Sequence, residues 1–326
     1  MKLENRIKHE LIRLLLQNRS HFLSGEEMSK QIGCSRMAIW KHIEELRKAG
    51  YEIEAKPRSG YRLQVNPDRV SAAEVSAYLT TKRLGQHITY LDTTTSTQTV
   101  AHEWAKEGAP EGAIVIADNQ TAGRGRLGRN WFSPKSAGIW FSLILRPQID
   151  LQAATQLTLL MSVAVRQAIQ KATGLSPHIK WPNDLLINEK KICGILTELR
   201  GEQDQIHYVV VGMGMNVNTP YTMFPSELQN QASSLAIETG HQMDRAPLIA
   251  TLLAEIEALY DEYLTDGFLP IKLKWEAGAG MLGERITART AKNTVSGIAT
   301  GLSSEGALLI QCDEKTIPIY SAEIEV

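Results

Sequence analysis

The sequence predicts a multidomain α+β protein: an N-terminal winged helix-turn-helix, a central mostly antiparallel sheet with helices, and a small C-terminal β-barrel. Three observations carry that expectation. The first 66 residues read as helices followed by a short hairpin, and they hold 13 Lys+Arg against 8 Asp+Glu, a balance of +5 in a chain whose net charge is −1. The middle alternates apolar-faced helices with β-rich runs set off by Gly, Pro and Asn. From about Pro270 the texture changes to short strands and glycine turns, GERITART, TVSGIATGLSSEGALLIQ and TIPIYSAEIEV, the pattern of a small barrel. These changes set the expected domains at 1–66, 67–270 and 271–326.

Composition narrows the class. A chain of 326 residues suits two or three domains, and 22% charged with 43% hydrophobic residues is the mix of a soluble globular protein. No apolar run approaches the ~20 residues that span a bilayer. The N-terminus MKLENRIKHELIRLL is charged and amphipathic, unlike a secretory signal, so a cytoplasmic protein with no membrane partner is expected. Cys34, Cys193 and Cys312 are odd in number and far apart, which argues against a disulfide framework and a zinc site. No protein-held metal centre is expected.

In the basic end, Ile7, Leu11, Leu14 and Leu15 share one helical face. Ser24 with Glu27 three residues on is a capping box opening a short helix that ends at Gly33. Ser35 caps the next helix, SRMAIWKHIEELRKAG, whose buried stripe is Ile39, Ile43 and Leu46, and Gly50 supplies its stop. Two helices joined by about three residues form a helix-turn-helix whose second helix enters the major groove. Its N-terminal and outward residues Ser35, Arg36, Met37, Trp40 and Lys41 are the candidate DNA contacts. The following strand, turn and strand, YEIEAKPRSGYRL, add a basic wing with Lys56, Arg58 and Arg62 around the turn. Asn66, Pro67 and Asp68 then mark a linker, and Ser71 with Glu74 is expected to cap a further helix.

Centrally, ITYLDTTTSTQTVAHEWAKEG runs from a strand through a hydroxyl-rich turn into a helix that begins at Ser96, Thr97 and Gln98. An N-cap explains these residues as well as a ligand contact does, and on the residues alone the cap is preferred. GRGRLGRNW, Gly123 to Trp131, lies between the strands AIVIADNQ and GIWFSLILRP. Gly123, Gly125 and Gly128 spell GxGxxG, but no helix follows, so a dinucleotide fingerprint is excluded. Arg124, Arg126 and Arg129 bring planar donor forks on a backbone free to close, and the loop is expected to wrap an anion, with Trp131 and Phe132 anchoring its far side. In HIKWPNDLLINEKKICGILTEL, Lys180 stands beside Trp181 before the rigid Pro182–Asn183 turn, an arrangement suited to fixing one ammonium. A hairpin follows. In IHYVVVGMGMNVN, Gly212 and Gly214 are expected to let a ligand lie against the backbone before Asn216. A long helix over 151–173 and another over 245–263 complete the domain.

GRGRLGRNW, KWPNDL, KICGILTEL and GMGMNV, in this order behind a winged helix, make the chain resemble the biotin-protein ligases that are also biotin operon repressors, over essentially its whole length. The resemblance implies a class II synthetase-like ligase domain and an SH3-like C-terminal domain. It implies ATP-dependent, Mg²⁺-assisted formation of biotinyl-5′-AMP and transfer of biotin to a lysine of the biotin carrier protein of acetyl-CoA carboxylase, with no tightly bound prosthetic group. Operator DNA and a homodimer formed when biotinyl-AMP is bound are the further implied partners. Carried over by residue, Ser96, Thr97, Gln98 and Gln120 fall on the biotin side, with Arg126 shaping it. Arg124, Arg129, Lys180 and Asn183 fall on the carboxylate, phosphate and Mg²⁺ side, joined in nucleotide binding by Trp131 and Asn216. Arg124, Arg126 and Lys180 serve both substrates and form the expected catalytic set. The family usually has Asn where Gln98 stands, and many members have Arg where Leu127 stands. Two competing readings remain: a non-catalytic sensor of an anionic metabolite, and a ligase for another carboxylic acid such as lipoate.

Overall fold

The computed structural model describes residues 3–202, 205–290 and 293–325. They form two compact units, one comprising residues up to Thr80 with Asp244–Ala250, the other Thr81–Met243 with the remainder.

The first unit contains α1 (Leu3–Gln17), α2 (Gly25–Ile32), α3 (Arg36–Lys48), the hairpin β1 (Glu52–Lys56) and β2 (Gly60–Val65), and α4 (Ala72–Tyr78). The expected capping box is complete at Ser24: its hydroxyl accepts from Glu27 N at 3.0 Å, and the Glu27 carboxylate accepts from Ser24 N at 3.2 Å. Gly33 takes the left-handed conformation that ends α2, and Ser35 accepts from Ala38 N at 3.1 Å to open α3. Leu11, Leu15, Ile39, Ile43 and Leu46 meet in one buried core with Leu63 of the hairpin. Ala73 of α4 joins that core, so the unit runs past the boundary drawn at residue 66. Ser71 precedes α4 without making a side-chain cap. Its partner Glu74 is buried and instead accepts from the Tyr51 and Ser71 hydroxyls. In the same unit the buried Arg245 guanidinium is held by Asp68, Nε to Oδ2 at 2.7 Å.

The second unit is organised on a seven-stranded sheet of order β3-β4-β5-β9-β8-β7-β6. In chain order its elements are β3 (Ile88–Thr94), α5 (Thr97–Lys106), β4 (Ile114–Gln120), β5 (Gly138–Leu145), α6 (Ala154–Thr173), β6 (His178–Lys180), β7 (Asp184–Ile187), β8 (Lys190–Glu202) and β9 (Gln205–Asn216). Only β3 and β4 are parallel; the other neighbours are antiparallel, giving a mixed, mostly antiparallel sheet. β5 is buried along its whole length, as expected of a central strand covered on both faces. Asn188 and Glu189 both sit at positive φ, as a two-residue hairpin turn between β7 and β8 requires. The short α7 (Leu235–Thr239) precedes α8 (Arg245–Asp266), of which the residues from Thr251 onward belong to this unit.

Two expectations for the C-terminal part are corrected. Pro270 does not end the helical region, because α9 spans Leu269–Gly278 with the proline in its first turn, where no intrahelical N–H is needed. The strands β10 (Arg285–Arg289), β11 (Thr294–Leu302), β12 (Leu308–Cys312), β13 (Lys315–Ile319) and β14 (Glu323–Glu325) form one sheet of order β13-β12-β11-β10-β14. Among the described residues its two edges are not paired with each other, giving an open β-rich sheet rather than a closed barrel.

Candidate active site and DNA-binding face

The Gly123–Trp131 loop is a miniature hairpin. Trp131 N donates to Gly123 O at 2.8 Å and Gly125 N to Arg129 O at 2.7 Å, so the arginines leave a tied-down backbone. Leu127 is its tip, at φ 56° and 76% exposed. The loop borders a cavity of about 400 Å³ that also meets β8, β9, the Lys180–Asp184 turn and β14. Every residue expected in the site lines it: Ser96, Thr97, Gln98 and Gln120; Arg124, Arg126, Arg129 and Trp131; and Lys180, Asn183 and Asn216.

The neutral part of the wall is a connected network. Gln120 Oε1 accepts from Thr97 N at 2.8 Å and from Thr97 Oγ1 at 3.1 Å. Its amide donates to Ser133 Oγ at 2.9 Å. Gln98 donates to Val210 O at 3.1 Å and accepts from Ser142 Oγ at 2.9 Å. Ser96 is the N-cap of α5 by position, yet makes no side-chain cap bond. The preferred cap reading is therefore corrected: the Gln120 side chain satisfies Thr97 N, and Ser96 is a buried residue of the cavity wall.

The glycine reading also changes. A side chain at Gly214 would run into the Trp131 indole nitrogen, and one at Gly212 into the Gln98 amide oxygen. These glycines make room for the chain's own side chains, which then face the cavity. Gly194 pairs with Gly214 across β8 and β9 and extends the seat under Trp131.

The cations carry distinct partners. Arg124 is ion-paired to Glu198 at 3.7 Å, and Glu198 also meets His102 Nε2 at 3.0 Å. Arg129 pairs with Glu323 of β14. Arg126 Nη1 donates to Asn183 Oδ1 at 3.1 Å and Nη2 to Ser321 Oγ at 3.2 Å. Burial lowers the pKa of Arg126, Asp184 opposes that shift and Arg129 adds to it; the guanidinium is thus partly desolvated while remaining charged. Asn183 is fixed by donation to Ile195 O at 2.8 Å, and Asn216 reaches Lys191 O at 3.5 Å.

The recognition face lies in the other unit. Along α3, Arg36, Met37, Trp40 and Lys41 point to solvent while Ile39 and Ile43 are buried. Arg36 pairs with Glu26 of α2, and Lys41 lies 3.9 Å from Glu45. Lys56 and Arg58 are exposed at the hairpin turn, with Lys56 5.8 Å from the Phe22 ring centroid.

Residues 90–216 match the biotin/lipoate A/B protein ligase family, residues 8–62 an HTH domain and residues 281–326 the biotin protein ligase C-terminal domain. The bifunctional ligase/repressor BirA of Bacillus spizizenii is 50% identical over 98% of both chains. The BirA of Escherichia coli is 30% identical over 99% of this chain and 98% of its own. The chain belongs to the bifunctional biotin ligase/repressor family. Among solved structures, the biotin protein ligase from Aquifex aeolicus in complex with biotin and ATP superposes with a TM-score of 0.65 at 32% identity, over 74% of this chain and 98% of that one.

Two parts of this family member's cavity were not anticipated from the residues. Lys191 lines it, 2.7 Å from Asp184 Oδ1 and 5.1 Å from the centroid of the Trp131 ring. A bulge hides it: Leu185 pairs with Cys193 but Leu186 with Lys191, so Ile192 is the extra residue and the alternation along β8 changes parity. β14 and its preceding turn supply Ala322–Glu325 to the wall and hold Arg126 and Arg129. The only sequence signal for that role is the pair of acids near the C-terminus.

Proposed function

We propose that the chain activates biotin with ATP to biotinyl-5′-AMP, passes biotin to a lysine of a carboxylase carrier domain, and represses transcription as an adenylate-bound homodimer on operator DNA. One observation carries the catalytic half: Arg124, Arg126, Arg129, Lys180 and Lys191 all line one cavity whose wall also carries a neutral network of hydroxyls and amides. Attack of a carboxylate on an α-phosphate brings two anions together and develops charge as pyrophosphate leaves. Cations already in place stabilise that charge without reorganising, and holding both substrates supplies the orientation. Among the described residues the Lys180 ammonium has no hydrogen-bond or salt-bridge partner, though Arg289 chiefly and Lys180 in part lower the pKa of Glu325, and it faces the cavity where an anion could meet it. The neutral network offers donors and acceptors suited to an uncharged ureido ring.

The chemistry requires no enzyme nucleophile. The one buried cysteine, Cys193, is kept as the thiol because burial pushes its pKa far up. Among the described residues no cluster of three or more His, Cys, Asp or Glu could hold a metal by itself. A Mg²⁺ carried by nucleotide phosphates takes one or two carboxylates and completes its shell with phosphate and water. Asp184 is one of the wall carboxylates, paired with Lys191, and bound Mg²⁺ would neutralise phosphate charge. Gly123–Trp131, closing over the adenylate, would keep water from it until the acceptor lysine arrives.

The test is pyrophosphate exchange into ATP, measured with and without biotin and with lipoate in its place. Exchange strictly dependent on biotin is expected. No exchange would favour the sensor reading, and exchange with lipoate the other ligase. For the regulatory half, one recognition helix and a modest basic surplus bind weakly, whereas a two-fold dimer adds two half-sites. Sedimentation with and without biotinyl-AMP should show the dimer only with it; an unchanged association state refutes this half.

A further inference from the structure

On α3 two large apolar groups stand exposed among the charged ones. Met37 is 71% and Trp40 52% exposed, on the outward face of a helix whose opposite face is fully buried at Ile39 and Ile43. The charged residues beside them have partners within the unit: Arg36 with Glu26, Lys41 with Glu45. In the same unit the wing cations Lys56 and Arg58 are also exposed, which suits a polyanion better than an apolar protein surface.

In the major groove the apolar base feature is the thymine 5-methyl, and apolar side chains recognise it by contact. Met37 and Trp40 are three residues apart on one helical face, about 4.5 Å along the axis. Neighbouring base pairs are spaced by about 3.4 Å. We infer that Met37 and Trp40 are specificity-determining residues of the repressor function, reading thymine methyl groups at adjacent or nearly adjacent base pairs of each half-site. Arg36, Lys56 and Arg58 then supply phosphate contacts that position the helix without selecting bases. The inference rests on the operator-binding reading above.

The experiment separates the two. The full chain with biotin, ATP and Mg²⁺ is used to select duplexes from a randomised library. The enriched sequence is then prepared with thymine or with deoxyuridine, which differ only by the methyl. The parent should bind the uracil duplex about fourfold more weakly per contacted methyl, the factor that burying one such carbon brings. Met37→Ala and Trp40→Ala should bind the thymine duplex more weakly and show a smaller uracil penalty. Lys56→Ala should weaken both duplexes alike and leave the penalty unchanged. Thermal unfolding midpoints equal to the parent's confirm that the exposed substitutions fold. A parent indifferent to uracil, or a penalty that persists undiminished in both variants, overturns the inference while leaving operator binding intact. Loss of self-association in Trp40→Ala with an unchanged penalty also overturns it, in favour of a protein contact. Failure to enrich any sequence overturns the operator-binding reading itself, and this inference with it.

Discussion

The cavity and the recognition face both offer cations to phosphate, but they are built on opposite plans. In the cavity the cations converge on a concave wall: Arg126 is desolvated enough to lower its pKa, and Arg124, Arg129 and Lys191 each hold a carboxylate of the chain. On α3 and at the wing, Lys56 and Arg58 stand in solvent, and the exposed apolar groups are Met37 and Trp40. The difference teaches where selectivity comes from. In a partly dry cavity each charge is strong and its placement is the chemistry. On an exposed face charges are screened and nearly interchangeable, and discrimination falls to uncharged contacts with base edges.

The largest effect that tests this contrast is at Lys180. If cavity charges act by placement, Lys180→Ala should cost roughly 3 kcal/mol in adenylation, the scale of losing one preorganised donor to a developing charge. Biotin-dependent pyrophosphate exchange, read as kcat/KM, checks it. Near-parental exchange by a folded variant would remove Lys180 from the catalytic set and leave Lys191 as the candidate.

A smaller effect is expected at Arg126, whose bonds to Asn183 and Ser321 tie the loop to the Lys180–Asp184 turn and to the C-terminal sheet. Arg126→Gly removes both and adds backbone freedom. A charge-assisted hydrogen bond contributes about 1.5–3 kcal/mol, so adenylate should leave the variant about tenfold or more faster. Bystander lysines should then be acylated. Filter-trap release kinetics and biotin blotting of an added unrelated protein measure the two effects. An unchanged release rate would mean that the loop does not retain the intermediate.

What the residues disclosed and concealed follows the same divide between local and long-range causes. The arginine loop, the Ser24–Glu27 box and the hairpin after Pro182–Asn183 were legible because their signals are local: turn residues, caps and spacing within a few positions. Ser71–Glu74 shows the limit of that logic. It has the same spacing as Ser24–Glu27, but Tyr51, distant in sequence, brings its hydroxyl to Glu74 and the box does not form. Lys191 was concealed by a single bulged residue, and the Trp131 seat required knowing that Gly194 and Gly214 face each other across two strands. The contribution of β14 is longer in range still, since Glu323 meets a loop nearly two hundred residues earlier in the chain. Pro270 was misread for a simpler reason: a proline that breaks a helix interior is acceptable in the first turn, and composition alone does not say where that turn lies.

The smallest effect, and the one that bears most directly on the contrast, is salt dependence. Each phosphate neutralised by an exposed cation releases condensed counterions, so the logarithm of DNA affinity falls linearly with the logarithm of salt, by about 0.9 per contact. Lys56 lies exposed at the wing, 5.8 Å from the Phe22 ring centroid. Lys56→Ala should therefore weaken binding evenly across sequences and reduce the salt slope by about one. In the cavity, Arg126, Lys180 and Lys191 are partly buried, although Arg124 and Arg129 are exposed, and interactions of partly buried charges are screened much less. The KM for ATP in biotin-dependent exchange, at saturating Mg²⁺, should accordingly change far less than DNA affinity between about 50 and 200 mM salt, the range over which multi-phosphate DNA contacts lose orders of magnitude. Operator titrations of parent and Lys56→Ala at several salt concentrations, set beside exchange kinetics in the same buffers, decide the matter. An unchanged slope in Lys56→Ala would take the wing off the phosphate backbone. A KM as steep in salt as the DNA affinity would mean that the cavity cations are as solvated as those of the wing, and that placement in a dry site does not distinguish them.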